Sequence, residues 1–118
     1  MINRVNRFRG RRSLFPILRR GKVQRYSFGK LYYRQNYRQN YRIAIVVSKK
    51  VDKKAVVRNR IRRRLYETFR LYFQQHAIHV DLIFVIHDNQ LAFLPAPDLS
   101  KQLQPVFQAL QKNYSKKI

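Results

Sequence analysis

The sequence predicts an α+β domain, a two-layer α/β sandwich with helices packed on a small sheet in the order α-β-β-α-β-α. Three observations predict it. Two short runs of β-formers, IAIVV at 43–47 and VDLIFVI at 80–86, have the composition of buried strands. Between them, residues 55–75 carry apolar side chains at the spacing of a helix. A second helical stripe, Leu99, Leu103, Val106, Phe107 and Leu110, comes near the end. A chain of 118 residues suffices for one domain with one core, 1–118, and its ends, 1–8 and 113–118, read as flexible basic tails.

In chain order, residues 1–12 are a basic lead-in with Arg4, Arg7, Arg9, Arg11 and Arg12. Ser13 is a candidate cap for a short helix over 14–20, with Pro16 in the first turn, where its missing N–H costs nothing. Arg19 and Arg20 suit the helix C-terminus and Gly21 its stop. Residues 23–34 read as one strand, with Gly29 marking a bulge or close approach. Then comes an exact tetrapeptide repeat, Tyr33-Arg34-Gln35-Asn36, Tyr37-Arg38-Gln39-Asn40, Tyr41-Arg42. It reads as an expanded hairpin connection with its tyrosines on one face. A solvated loop lengthened by duplication is the plain account; base stacking with phosphate contact is the functional one. Residues 43–47 predict a buried central strand, 48–54 a loop, and 80–86 a second buried strand with Asp81 near its start. His87-Asp88-Asn89 reads as a turn, 91–94 as a short edge segment, and 99–112 as a last helix with Asp98 or Ser100 as its cap and Pro105 inside.

Charge narrows the function. There are 27 Lys and Arg against 5 Asp and Glu, a formal net charge of +22. Such self-repulsion opposes a compact state, and a polyanionic partner removes it. Yet the chain is 45% hydrophobic with eight Phe and eight Tyr, a composition that folds. There is no cysteine, which excludes a disulfide framework, a thiolate metal site and a thiol nucleophile. No apolar run has the length of a membrane span, and the Arg-rich start continues directly into folding sequence. A cytoplasmic location is expected. His76 and His79 have no third ligand nearby, and His87-Asp88 has no nucleophile to serve. Neither a phosphate-binding loop nor paired carboxylates are present. The protein is therefore expected to hold no catalytic residue, no metal ligand set and no cofactor of its own.

The helix at 55–75 is the exception to this chemical silence. Val57, Ile61, Leu65, Phe69 and Tyr72 fall on one side as a core stripe. Arg58, Asn59, Arg62, Arg63, Tyr66 and Arg70 lie beside it, and Arg60, Arg64 and Glu67 on the other flank. Lys49, Lys50, Lys53 and Lys54 lead into it. Guanidinium is a planar fork matched to phosphate, and only Glu67 is available to neutralise it within the helix. Folded RNA fits better than DNA, because no second helix completes a helix-turn-helix and aromatic-bearing strands lie alongside.

The stretch AVVRNRIRRRLYE at 55–67, with Ser48-Lys49-Lys50 before it, resembles the RNR signature of the bacterial ribonuclease P protein subunit. Asn6-Arg7-Phe8 is similar to that family's early NRL-type segment, Arg19-Arg20-Gly21 to its basic-Gly helix ending, and 45–50 to its VSKK strand end. The resemblance implies an α/β sandwich with a left-handed βαβ crossover. It implies a protein cofactor of a catalytic RNA that uses Mg²⁺ to cleave precursor tRNA at the mature 5′ end. Its partners would be that RNA and the 5′ leader, without a membrane or an obligate protein partner. Carried onto this chain, RNA binding falls to Arg58, Asn59, Arg60, Arg62, Arg63 and Arg70 with Lys49, Lys50, Lys53 and Lys54. The leader cleft falls near Leu14, Leu18, Phe28 and Tyr32. The family often has Phe where Leu14 and Leu18 stand, and Arg where Tyr66 stands. The alternatives are a structural ribosomal RNA-binding protein and a DNA-binding regulator.

Overall fold

The computed structural model describes residues 4–8, 10–38 and 40–114. The expected basic tail at 115–118, the first three residues, Arg9 of the lead-in and Gln39 of the repeat lie outside the described residues. After a 3-10 turn at Arg11–Leu14, the elements are α1 (Phe15–Arg20), β1 (Lys22–Tyr26), β2 (Gly29–Gln35), β3 (Arg42–Val47), α2 (Ala55–Gln75), β4 (Val80–Ile86) and α3 (Ala96–Tyr114). The sheet order is β1-β2-β4-β3, with β1, β2 and β4 antiparallel and β3 parallel to β4.

Three sequence expectations fail here, and the last two fail because strand pairing is non-local. The single strand read over 23–34 is a hairpin, β1 turning through Ser27 and Phe28 into β2. Gly29 opens β2 because a Cβ there would sit 2.3 Å from the Val85 carbonyl oxygen. The repeat was expected to join two strands of a hairpin, but β4 lies between β2 and β3. So β3 is an edge strand rather than a central one. Its unpaired edge is covered by α2: the Ile45 N–H donates to the Tyr66 hydroxyl at 3.1 Å, and Arg62 donates to the Val47 carbonyl at 3.2 Å.

One face of the sheet makes the core. Leu31, Tyr33, Ile43, Ile45, Val47, Val80, Leu82, Phe84 and Ile86 pack against Ile61, Leu65, Phe69 and Phe73 of α2 and Leu99, Leu103, Val106 and Leu110 of α3. Phe73, not the expected Tyr72, completes the α2 stripe; Tyr72 is half-buried and stacks on Phe107 at 4.2 Å. α3 starts at Ala96 and runs through Pro105, which is exposed, so the ring meets solvent rather than the core. The segment at 91–94 is not an edge strand; Asn89–Ala92 is a 3-10 turn capped by Asp88, whose carboxylate accepts from the Gln90 N–H.

The other face is largely open. α1 lies on it against β2 and β4, and Ile17 of α1 and Ile83 of β4 are both buried. Ser13 does not cap α1; its hydroxyl donates to the Gly10 carbonyl. Gly21 ends α1 in extended conformation, its place fixed because a Cβ would meet the Ile17 oxygen at 2.4 Å. At one end of this face Asp81 is buried and takes a two-pronged contact from Arg42, at 2.9 and 2.7 Å. Asn36 Nδ2 adds a third bond at 2.8 Å. Phe8 lies over the Arg42 guanidinium, 4.6 Å away, and Asn6 is buried, donating to the Tyr41 carbonyl. Asn6 and Phe8, within the stretch read as an N-terminal tail, therefore contact the start of β3. At the other end, Asn113 is helical and hydrogen-bonded to Ala109 and Lys22.

Removing one partner of a buried ion pair leaves the other charge uncompensated. Asp81→Ala is expected to lower the free energy of unfolding by about 3 kcal/mol in urea denaturation followed by circular dichroism.

Candidate nucleic-acid interface

The core stripe of α2 forces its remaining residues outward. With no acid in the first turn, the positive end of the helix dipole adds to the field of the arginines. The approach loop is held by Asp52, which accepts from the Lys54 N–H at 2.8 Å and from Asn89 Nδ2 at 3.2 Å. The Lys54 N–H bond, then the Asn89 bond, hold the Asp52 carboxyl below its usual range. Its contribution is present above the ordinary carboxylate range and is lost as pH falls through the depressed value. Lys49, Lys50, Lys53 and Lys54 stand exposed on this loop.

The arginines divide by task. Arg60 and Arg63 are exposed, with no hydrogen bond or ion pair among the described residues. Arg58 turns back to donate to the Asp52 and Lys53 carbonyls, both at 3.0 Å, and so fixes the lysine loop. Arg62 donates to Asn59 Oδ1 at 2.6 Å as well as to Val47, which orients Asn59. Arg70 forms an ion pair with Glu67, which holds the Glu67 carboxyl below its usual range and offsets the charge expected for RNA. Arg64 donates to the Leu91 and Leu94 carbonyls; it ties α2 to the turn after β4. Sequence periodicity could not separate Arg64 from its neighbours, because its acceptors lie 27 and 30 residues away.

An open groove of about 1090 Å³ runs along this face, lined by Asn59, Arg60, Arg63 and Tyr66 of α2 and by Arg7. Arg7 joins the site only through the fold. Tyr66 bonds the edge of β3 and brings no cation to the groove.

A second surface is the open face of the sheet. Lys30, Tyr32 and Arg34 of β2 alternate onto it, in register with Val85, Ile83 and Asp81 of β4. Val23 and Arg25 of β1 and Val46 of β3 flank them, and all three are exposed. α1 borders this face with Leu18 39% exposed and Phe15 49% exposed, Arg19 lying 5.9 Å from the Phe15 ring centroid. Leu14 and Tyr32 are half-buried. Phe28 does not belong here: it is 6% exposed, stacks on Tyr26 and packs against Phe84 in the core. Phe15 is the exposed aromatic of α1.

A family model described as Ribonuclease P matches residues 2–111. The chain belongs to the ribonuclease P protein family. Its fold is shared with the RNase P protein of Staphylococcus aureus at 24% identity and a TM-score of 0.75, covering 88% of this chain and 94% of that one. It is shared also with the RNase P protein of Thermotoga maritima at 23% identity and a TM-score of 0.74, covering 87% and 96%. No curated protein matches by sequence. No helix among the described residues is long and apolar enough to cross a membrane, and no cluster of His, Cys, Asp or Glu among them could hold a metal ion.

The division of arginines is testable. Arg64→Ala is expected to lower stability by about 2 kcal/mol in urea unfolding, because two backbone carbonyls lose a charged donor. Arg63→Ala is expected to leave stability unchanged and to reduce the salt dependence of RNA binding by about one phosphate, roughly 0.7 to 0.9 in log–log slope.

Proposed function

We propose that this chain is the RNA-binding subunit of a ribonuclease P whose RNA carries the chemistry. The α2 face and its lysine loop bind the catalytic RNA. The open sheet face beside α1 holds the single-stranded 5′ leader of precursor tRNA. The observation that carries the reading is the pairing of these two surfaces in one member of the family. One is a guanidinium row on α2 in which Arg60 and Arg63 have no hydrogen-bond or ion-pair partner among the described residues. The other is a shallow face with half-exposed apolar and aromatic groups among cations, suited to unpaired bases and their phosphates.

The chain's contribution follows from its charges. Catalytic RNA and substrate repel each other, and cations fixed on a folded scaffold reduce that repulsion without ordering cost at the moment of binding. Arg58 and Arg62 act mainly by position, one holding the lysine loop and the other Asn59 and the edge of β3. Mg²⁺ belongs to the RNA in this reading. The α2 face offers Arg and Asn, its acid Glu67 is paired with Arg70, and Asp52 on the lysine loop is already bonded to Lys54 and Asn89, a donor set that does not fit a protein-held Mg²⁺. The expected site of action is the cytoplasm.

The test is cleavage of precursor tRNA by a bacterial ribonuclease P RNA at low Mg²⁺, with and without the chain. Wild type is expected to restore cleavage. The double substitution Arg60→Ala/Arg63→Ala is expected to need roughly tenfold more protein while remaining folded. Tight RNA binding by wild type with no restored cleavage would sink the proposal in favour of a structural role on another RNA.

A further inference from the structure

The tyrosine repeat is not absorbed by either surface as a unit. Its three tyrosines have three fates. Tyr33 is 1% exposed in the core, and Tyr41 stacks on Phe73 with centroids 4.0 Å apart. Tyr37 is 96% exposed, the most exposed of the large hydrophobic side chains described. The loop that carries it is nevertheless built. Asn36 is buried, its N–H donating to the His79 carbonyl at 3.1 Å. Its side chain donates to Asp81 at 2.8 Å and to the Asn40 carbonyl at 3.2 Å, while its Oδ1 accepts from the Arg38 N–H at 3.1 Å. One buried amide thus ties both sides of the Tyr37 turn to the Arg42–Asp81 pair. Arg34 precedes the loop on the open sheet face, two residues from Tyr32, and Arg38 follows Tyr37; both are exposed. Asp81, the acid of this region, is already taken by Arg42 and Asn36.

We propose that Tyr37, with Arg34 and Arg38, is a second contact for single-stranded RNA: the ring stacks on an unpaired base and the two guanidinium groups take the phosphates beside it. A fully exposed ring on an anchored turn gains stacking with little ordering cost, and every base offers a π-face. The position of Arg34 next to Tyr32 makes this contact continuous with the open sheet face. The proposal rests on the leader reading above and extends the leader's path past the end of the sheet where β4 begins.

The experiment measures affinity of the reconstituted holoenzyme for precursor tRNAs with a series of leader lengths. Wild type is compared with Tyr37→Ala, Tyr37→Phe and Arg38→Ala. Tyr37→Ala is expected to weaken long-leader substrates by about tenfold, the scale of one base–aromatic stack, and to leave short-leader substrates unchanged. Tyr37→Phe keeps the ring and is expected to bind as wild type does. Arg38→Ala is expected to lower the salt slope for long leaders by about 0.7. If wild type improves affinity over the RNA alone and Tyr37→Ala matches it at every length, the loop contact is overturned and the leader reading stands. If wild type improves affinity at no leader length, both fall.

Discussion

The packing of Ile61, Leu65, Phe69 and Phe73 on the sheet sets where every other functional group of this protein stands. These four side chains are buried on one side of a helix of 21 residues, and each burial is worth about 1.5–3 kcal/mol. The contact fixes rotation of α2 about its axis. Once rotation is fixed, Arg60 and Arg63 must face solvent and Tyr66 and Arg62 must reach the edge of β3. A chain of net charge +22 could not hold so many guanidinium groups together without this apolar hold on the opposite side.

The arginines of α2 show how one residue type is divided by tertiary position. Arg64 satisfies two carbonyls of the turn after β4, Arg58 satisfies two in the lysine loop, and Arg62 caps β3. Carbonyls at strand ends and turns lack ladder partners, and a charged donor is the strongest available substitute. The same feature makes these groups poorer free phosphate ligands than Arg60 and Arg63. A motif rich in arginine therefore encodes scaffold and interface together.

The opposite face of the sheet depends on a different device. Asp81 concentrates Arg42, Asn36 and, through Arg42, Phe8 at one end of β4. That cluster pins the N-terminal segment and the repeat loop to the same place. The two ends of the connection from β2 to β3 meet the start of β4, Gln35 opposite Val80 and Arg42 opposite Asp81. In an isolated repeat the tyrosines would be equivalent. Here their environments differ because β2 ends at Gln35 and β3 starts at Arg42, so Tyr33 lies within a strand while Tyr37 and Tyr41 fall in the connection between them.

Local periodicity was enough for α2, for the stripe of α3 and for β3 and β4, because each buries one face or both and the burial imposes its own repeat on the residues. The RNR stretch was legible for the same reason, being contiguous on one helix. Partners distant in sequence were not legible: Arg7 in the α2 groove, Arg64 on Leu91 and Leu94, and Tyr66 on Ile45. Phe28, carried to the leader cleft by the resemblance, lies in the core while Phe15 is exposed, since apolar character alone does not say which face of the sheet a residue meets. The sequence by itself determined the fold class and the basic helix, both properties of composition and short-range pattern, and its charge carried the expectation of a polyanionic partner. Only the tertiary structure decided that β4 enters between β2 and β3, which arginines hold the scaffold and which are exposed, and which tyrosine of the repeat meets solvent. Those outcomes depend on strand pairing between segments tens of residues apart, and no local pattern specifies it.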